Sequence, residues 1–137
     1  MTSQTKSHNY TINNDSDVLQ ATYDAMSFTR ELGFSAVQQS MVSTAVSELA
    51  SNIVKYAGKG YITVSSLQQM GQTGIEVIAE DRGPGITDRA HALTDHISTG
   101  NTLGLGLPGV KRLMDEFLMD SSEGYGTKIV TRKWKLA

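Results

Sequence analysis

The stretch from Ser35 to Gly60 constrains this chain more than any other. Ser35-Ala36-Val37-Gln38 reads as a capping box, with the serine serving an early backbone N–H and the glutamine reaching back. Beyond it Val37, Met41, Ala45, Leu49 and Ile53 step by four, while Val42, Val46, Ala50 and Val54 widen the same apolar face. This spacing predicts a long amphipathic helix ended by Gly58 and Gly60. Thr44, Glu48, Asn52 and Lys55 then fall in one column on its polar side. A carboxylate, an amide oxygen and an ammonium in such a column can seat a metal–phosphate ligand. Taken alone, the same column is more commonly a solvated helix face.

A length of 137 residues fits one domain with a single core, spanning 1–137. The 12 basic and 14 acidic residues leave a net charge of −2, too little positive field for nucleic acid to be the main partner. Lys128, Arg132, Lys133 and Lys135 gather near the end, where they read as an exposed strand face. Cysteine is absent, which excludes disulfides and thiolate metal sites and suits a reducing cytosol. Met1 to Asn9 is polar, so no secretory signal is expected there. No apolar run approaches the roughly 20 residues that cross a bilayer. The expectation is a cytoplasmic domain with neither nucleic acid nor membrane as partner.

Along the chain, residues 1–7 read as a loose tail, and His8 to Asn13 as a first strand with Tyr10 and Ile12 on one side. Asn14 to Asp17 supply cap chemistry for a helix to about Glu31, stopped by Gly33. After the Ser35 helix, Tyr61 to Leu67 alternates as a strand, Gly71 to Gly74 turns, and Ile75 to Asp81 returns as a second strand. A short helix is expected over Asp88–Thr94, a polar loop over His96–Gly104 and a helix over Leu105–Phe117. Phe117–Asp120 and Thr127–Trp134 complete the pattern as an antiparallel pair. The order β–α–α–β–β–α–α–β–β argues an α/β (α+β) two-layer sandwich, its mostly antiparallel sheet covered on one face by helices.

Two further segments carry chemistry. Asp81-Arg82-Gly83-Pro84-Gly85 puts a carboxylate at the end of a buried strand, where it can accept from an exocyclic amine such as that of adenine. Gly85 would let a flat ring approach the main chain, although an ordinary turn begins the same way. Gly100 to Gly109 is a glycine-rich loop entering a helix, an arrangement that aims backbone N–H groups at an anion. Within it Gly104-Leu105-Gly106-Leu107-Pro108-Gly109 matches the dinucleotide fingerprint by letter. No apolar strand precedes it and too little chain follows it for that fold, so the match is accidental. His8, His91 and His96 lack metal-ligand spacing and read as surface residues.

Glu48…Asn52, Asp81-x-Gly83-x-Gly85, Gly104-x-Gly106 and Gly124-x-Gly126-Thr127 occur in an order that resembles the Bergerat (GHKL) ATP-binding fold. That fold is shared by gyrase, the chaperone Hsp90, histidine kinases and MutL. The small size and the segment Gly104–Phe117 further resemble the anti-sigma-factor kinase group, in particular the RsbT-type switch serine/threonine kinases of the stressosome. The likeness runs from about residue 8 to the C-terminus. It implies a kinase that uses ATP and Mg2+, with Glu48 as general base and Asn52 as metal ligand. It further implies that Asp81 and Gly85 receive adenine with Gly83 and Thr127 in support, and that Gly104, Gly106 and Lys55 meet the phosphates. The implied partners are STAS-domain stressosome proteins as substrates and, after release, a PP2C-type phosphatase or other output regulator. A partner-switching binding protein or an anti-sigma factor with little kinase output is the alternative.

Overall fold

The computed structural model describes residues 2–83, 106–122 and 125–136. Five strands, β1 (Thr2–Ile12), β2 (Gly60–Gln69), β3 (Gln72–Asp81), β4 (Glu116–Ser122) and β5 (Gly126–Trp134), form one sheet in the order β1-β2-β3-β5-β4. Every neighbouring pair is antiparallel. Helices α1 (Asp15–Glu31), α2 (Ala36–Asn52) and α3 (Leu107–Leu113) supply the second layer. One buried cluster joins Ile62, Val64, Ile75, Val77 and Ile129 of the sheet to Val42, Leu49, Leu107 and Val110 of the helices. The alternate sheet residues Tyr61, Glu80, Lys128 and Leu118 are exposed, so the helices cover one face only. This is the expected two-layer α+β sandwich.

Local chemistry sets the helix boundaries. Asn14 caps α1 by accepting from the Asp17 N–H at 2.9 Å, and Asp17 accepts in return from the Asn13 N–H at 2.8 Å. Ser35 caps α2 through the Gln38 N–H at 3.2 Å, as the sequence predicts. Gln38 does not reach back, however. It is buried, and its amide donates to the Trp134 carbonyl at 2.9 Å, tying the start of α2 to the end of the sheet. After Asn52 the chain widens into a π turn, Ile53–Ala57, closed by the Gly58 N–H on the Ile53 carbonyl at 2.8 Å. The α-helical column therefore runs through Asn52, and Lys55 is placed by the wider turn.

Four sequence expectations are corrected. Residues 2–7 are not a loose tail but the first half of β1, which pairs with β2 from Thr2 onward. Polar rungs hide the strand in sequence: Thr5 meets the Ser66 hydroxyl at 2.5 Å and Ser7 meets Ser65 at 2.9 Å. The β2–β3 turn is Met70-Gly71, with φ of 52° and 80°, and Gly74 belongs to β3. The helix expected to reach Phe117 stops at Leu113, because β5 claims its end. The Lys133 ammonium donates to the Leu113 carbonyl at 2.7 Å, and the Asp115 N–H donates to the Arg132 carbonyl at 2.9 Å. Lys133 is thus buried on the helix side rather than on an exposed basic face, and Arg132 pairs with Glu76 at 2.9 Å. The helix expected over 88–94 and the loop over 96–104 lie outside the described residues.

Candidate nucleotide site

At one end of the sheet the residues Gly60, Asp81, Thr127 and Ser121 stand in register across β2, β3, β5 and β4. Asp81 shares the helix-facing side with Ile75, Val77 and Ala79, and Thr127 shares it with Ile129. The Asp81 carboxylate accepts from the Gly83 N–H at 2.9 Å, which folds the chain back beside the strand end. Thr127 is linked to the Ser121 hydroxyl at 2.9 Å. A side chain at residue 83 would lie 2.7 Å from the Ala57 Cβ, so glycine lets the post-Asp81 turn pack on the π turn. Gly126 serves the same end from β5: at φ 97° it sits against the Asp81 carbonyl, where any side chain would collide.

The other half of the site is built from α2 and the start of α3. Glu48 is exposed and Asn52, one helical turn on, is half-buried at the last residue of α2. Gly106 is the N-cap of α3 at φ 69°, and a side chain there would run into the Glu48 carboxylate. Gly106 therefore meets α2 at Glu48, with the α3 N-terminus beside the carboxylate. Lys55 is exposed on the π turn, its ammonium 5.8 Å from the centroid of the Tyr56 ring. Glu48, Asn52 and Gly106 thus lie together, and Asp81, Gly83 and Thr127 lie together at the strand ends. The π turn bridges the two groups through Ala57. Gly85 and Gly104 lie outside the described residues.

The sequence reading assigned no part to Ser121, none to the π turn beyond Lys55, and none to Gly126 beyond its place in a motif. Only the register of β5 against β3 reveals Gly126 and Ser121 as neighbours of Asp81. A cleft of about 470 Å3, lined by Tyr61, Glu80, Arg82, Asp120, Tyr125 and Lys128 among others, opens beside the same strand ends. Most of these side chains belong to the helix-free face, but Asp81, Gly126 and Thr127 also line the cleft, so it adjoins the strand-end half of the site. Among the described residues no cluster of three or more His, Asp or Glu gathers as for a metal ion. His8 stands edge-on to Phe28 with ring centroids 4.9 Å apart. No described helix is long and apolar enough to cross a membrane.

Residues 13–133 match the model of the histidine kinase-like ATPase domain. The chain is 48% identical over 118 residues to the serine/threonine-protein kinase RsbT of Bacillus subtilis (strain 168), covering 86% of this chain and 89% of that one. It is 33% identical over 97 residues to the anti-sigma F factor of Clostridium novyi (strain NT), covering 67% and 68%. Its fold resembles that of the mycobacterial sensor histidine kinase MprB, with a TM-score of 0.55 at 18% identity over 95% of this chain and 97% of that one. The catalytic domain of histidine kinase ThkA has the same fold, with a TM-score of 0.53 at 13% identity over 96% of this chain and 97% of that one. The chain belongs to the histidine kinase-like ATPase family and, within it, to the RsbT-type serine/threonine kinases.

Proposed function

We propose that this kinase transfers the γ-phosphoryl group of ATP to a serine or threonine of a STAS-domain stressosome protein. When released, it binds and activates a downstream regulator such as a PP2C-type phosphatase, all within the cytoplasm. The observation that carries the reading is the contact of Glu48 with Gly106, which joins a carboxylate to a glycine-capped helix N-terminus suited to phosphate. Glu48 takes the proton of the attacking hydroxyl. Asp81 accepts from the adenine amine through the carboxylate that Gly83 orients, with Thr127 beside it and Gly85 beneath the ring. Gly104 and Gly106 offer backbone N–H groups to the phosphates, and Lys55 neutralises phosphate charge.

The donor set fits Mg2+: a hard amide oxygen from Asn52 suits a cation that takes most of its ligands from phosphates and water. When bound, Mg2+ would supply neutralisation of the charge that develops on the transferring group. The test is transfer of labelled phosphate from Mg·ATP to STAS proteins, comparing wild type with Asn52→Ala. Label on serine or threonine with wild type alone supports the assignment. Binding to those proteins without transfer, in wild type as well, favours the second reading. That reading is a partner-switching or anti-sigma protein with little kinase output, and the kinship with an anti-sigma factor gives it its ground.

A further inference from the structure

Ser121 is a buried hydroxyl that the proposed mechanism leaves unused. It is 6% exposed, near the end of β4, on the helix-facing side with Met119 of the same strand. Register places it beside Thr127 of β5, and Thr127 in turn beside Asp81 of β3. The three side chains make one row across the strand ends, with Thr127 in the middle.

Two partners of the Ser121 hydroxyl differ in chemistry. The Gly126 carbonyl, 3.3 Å away, can only accept, so it takes the one proton that Ser121 has. The Ser121 oxygen is then the acceptor toward Thr127, whose hydroxyl lies at 2.9 Å and supplies the proton. Gly126 is itself lodged against the Asp81 carbonyl at φ 97°, so the group that orients Ser121 belongs to the same strand-end packing. Thr127 thereby spends its only proton on Ser121. What it retains for a ligand is an oxygen lone pair.

We infer that Ser121 is a positioning residue for base recognition: it commits the Thr127 hydroxyl to accept, so that the site favours a 6-amino purine over a 6-oxo purine. The inference rests on the adenine role proposed for Asp81 and Thr127. An acceptor beside the Asp81 carboxylate suits an exocyclic amine, which has two protons to give. The carbonyl of a 6-oxo purine would face two acceptors and no donor. A Thr127 hydroxyl free to rotate could donate to that carbonyl, and part of the discrimination would be lost. Ser121 does not touch the base; it acts through Thr127.

Titration of the full chain with ATP and with GTP, in wild type and in Ser121→Ala, tests this. Freeing the Thr127 hydroxyl should lower the preference for ATP over GTP about 10-fold, a scale common for hydrogen-bonded neighbours. Thr127→Val removes the hydroxyl that Ser121 directs. Adding Ser121→Ala to Thr127→Val should therefore leave the preference where Thr127→Val alone puts it. Thermal melts accompany each titration, and if Ser121→Ala fails to fold, Ser121→Cys, a weaker donor of similar size, is read in its place. A less stable Ser121→Ala protein with the wild-type preference has lost only an ordinary buried hydroxyl, which overturns the inference. Effects of the two changes that simply add overturn it as well, as does equal affinity of wild type for ATP and GTP. Asp81→Asn tells the two readings apart. If it leaves both nucleotides bound as before, the adenine site is misplaced and the role of Ser121 falls with it. If it weakens ATP selectively while Ser121→Ala changes nothing, the role of Ser121 falls alone.

Discussion

The Glu48 carboxylate rests against Gly106, so that the residue proposed to take a proton and the residue proposed to face phosphate are direct neighbours. Gly106→Ala should therefore act twice. Its φ of 69° is left-handed, which costs a non-glycine residue about 1–2 kcal/mol, and the added methyl displaces the Glu48 side chain. The expected outcome is a melting temperature lower by a few degrees, together with a disproportionate loss of phosphotransfer. Glu48→Gln should spare ATP binding and lower transfer by about 10²–10⁴-fold, the usual scale of general-base removal. Phosphotransfer assays beside nucleotide titrations separate the two variants, and full activity in Glu48→Gln would remove the base from the scheme.

At the strand ends the prediction concerns affinity rather than rate. Asp81 is held by the Gly83 N–H, and its other lone pairs are the proposed acceptors for the adenine amine. Asp81→Asn keeps the shape but replaces a charged acceptor with an amide. ATP binding should weaken by roughly 10-fold or more, in line with loss of a charge-assisted hydrogen bond. Calorimetry with ATP and with GTP checks it. An equal loss for both nucleotides would place the role of Asp81 in folding rather than in base recognition.

How much of this was legible in the sequence depends on how local the cause was. Asn14 and Ser35 announce α1 and α2 because a cap is a contact within four residues. The placement of Glu48 one turn before Asn52 follows from helical periodicity alone. The first half of β1 stayed hidden because its rungs are hydroxyl pairs with β2, some sixty residues away. The early end of α3 stayed hidden for the same reason: Lys133 and Arg132 arrive from β5 to take its last carbonyl and redirect Asp115. Gly126 became a neighbour of Asp81 only through sheet register.

Tyr10 provides a prediction in alkaline solution. Burial pushes its phenol up to about 12, and the Asp24 carboxylate, which accepts its hydrogen bond, adds to the shift. A folded value above the ordinary value of about 10 means that the neutral phenol is favoured by folding. The resulting stability is present below pH ~10 and is lost as pH rises toward 12. Absorbance titration of phenolate should show one late-ionising tyrosine that disappears in Tyr10→Phe. That variant should also lose stability less steeply above pH ~10, which chemical unfolding at several pH values would measure.

The last prediction tests whether β5 holds the glycine-capped helix in place. Lys133 is buried, with its ammonium on the Leu113 carbonyl at 2.7 Å and near Asp115 at 3.4 Å, so it closes the C-terminus of α3 from below. Lys133→Met keeps the apolar stem but strands that carbonyl, at a cost of about 1–3 kcal/mol for an unsatisfied buried acceptor. Because α3 begins at Gly106, loosening its far end should also weaken nucleotide binding, although residue 133 is not itself at the site. Lys128→Met, on the exposed face of the same strand, is the matched control and should change stability by no more than about 0.5 kcal/mol. Denaturation and nucleotide titration of both variants decide the matter. A destabilised Lys133→Met protein with unchanged nucleotide affinity would show that α3 keeps Gly106 in place without its anchor.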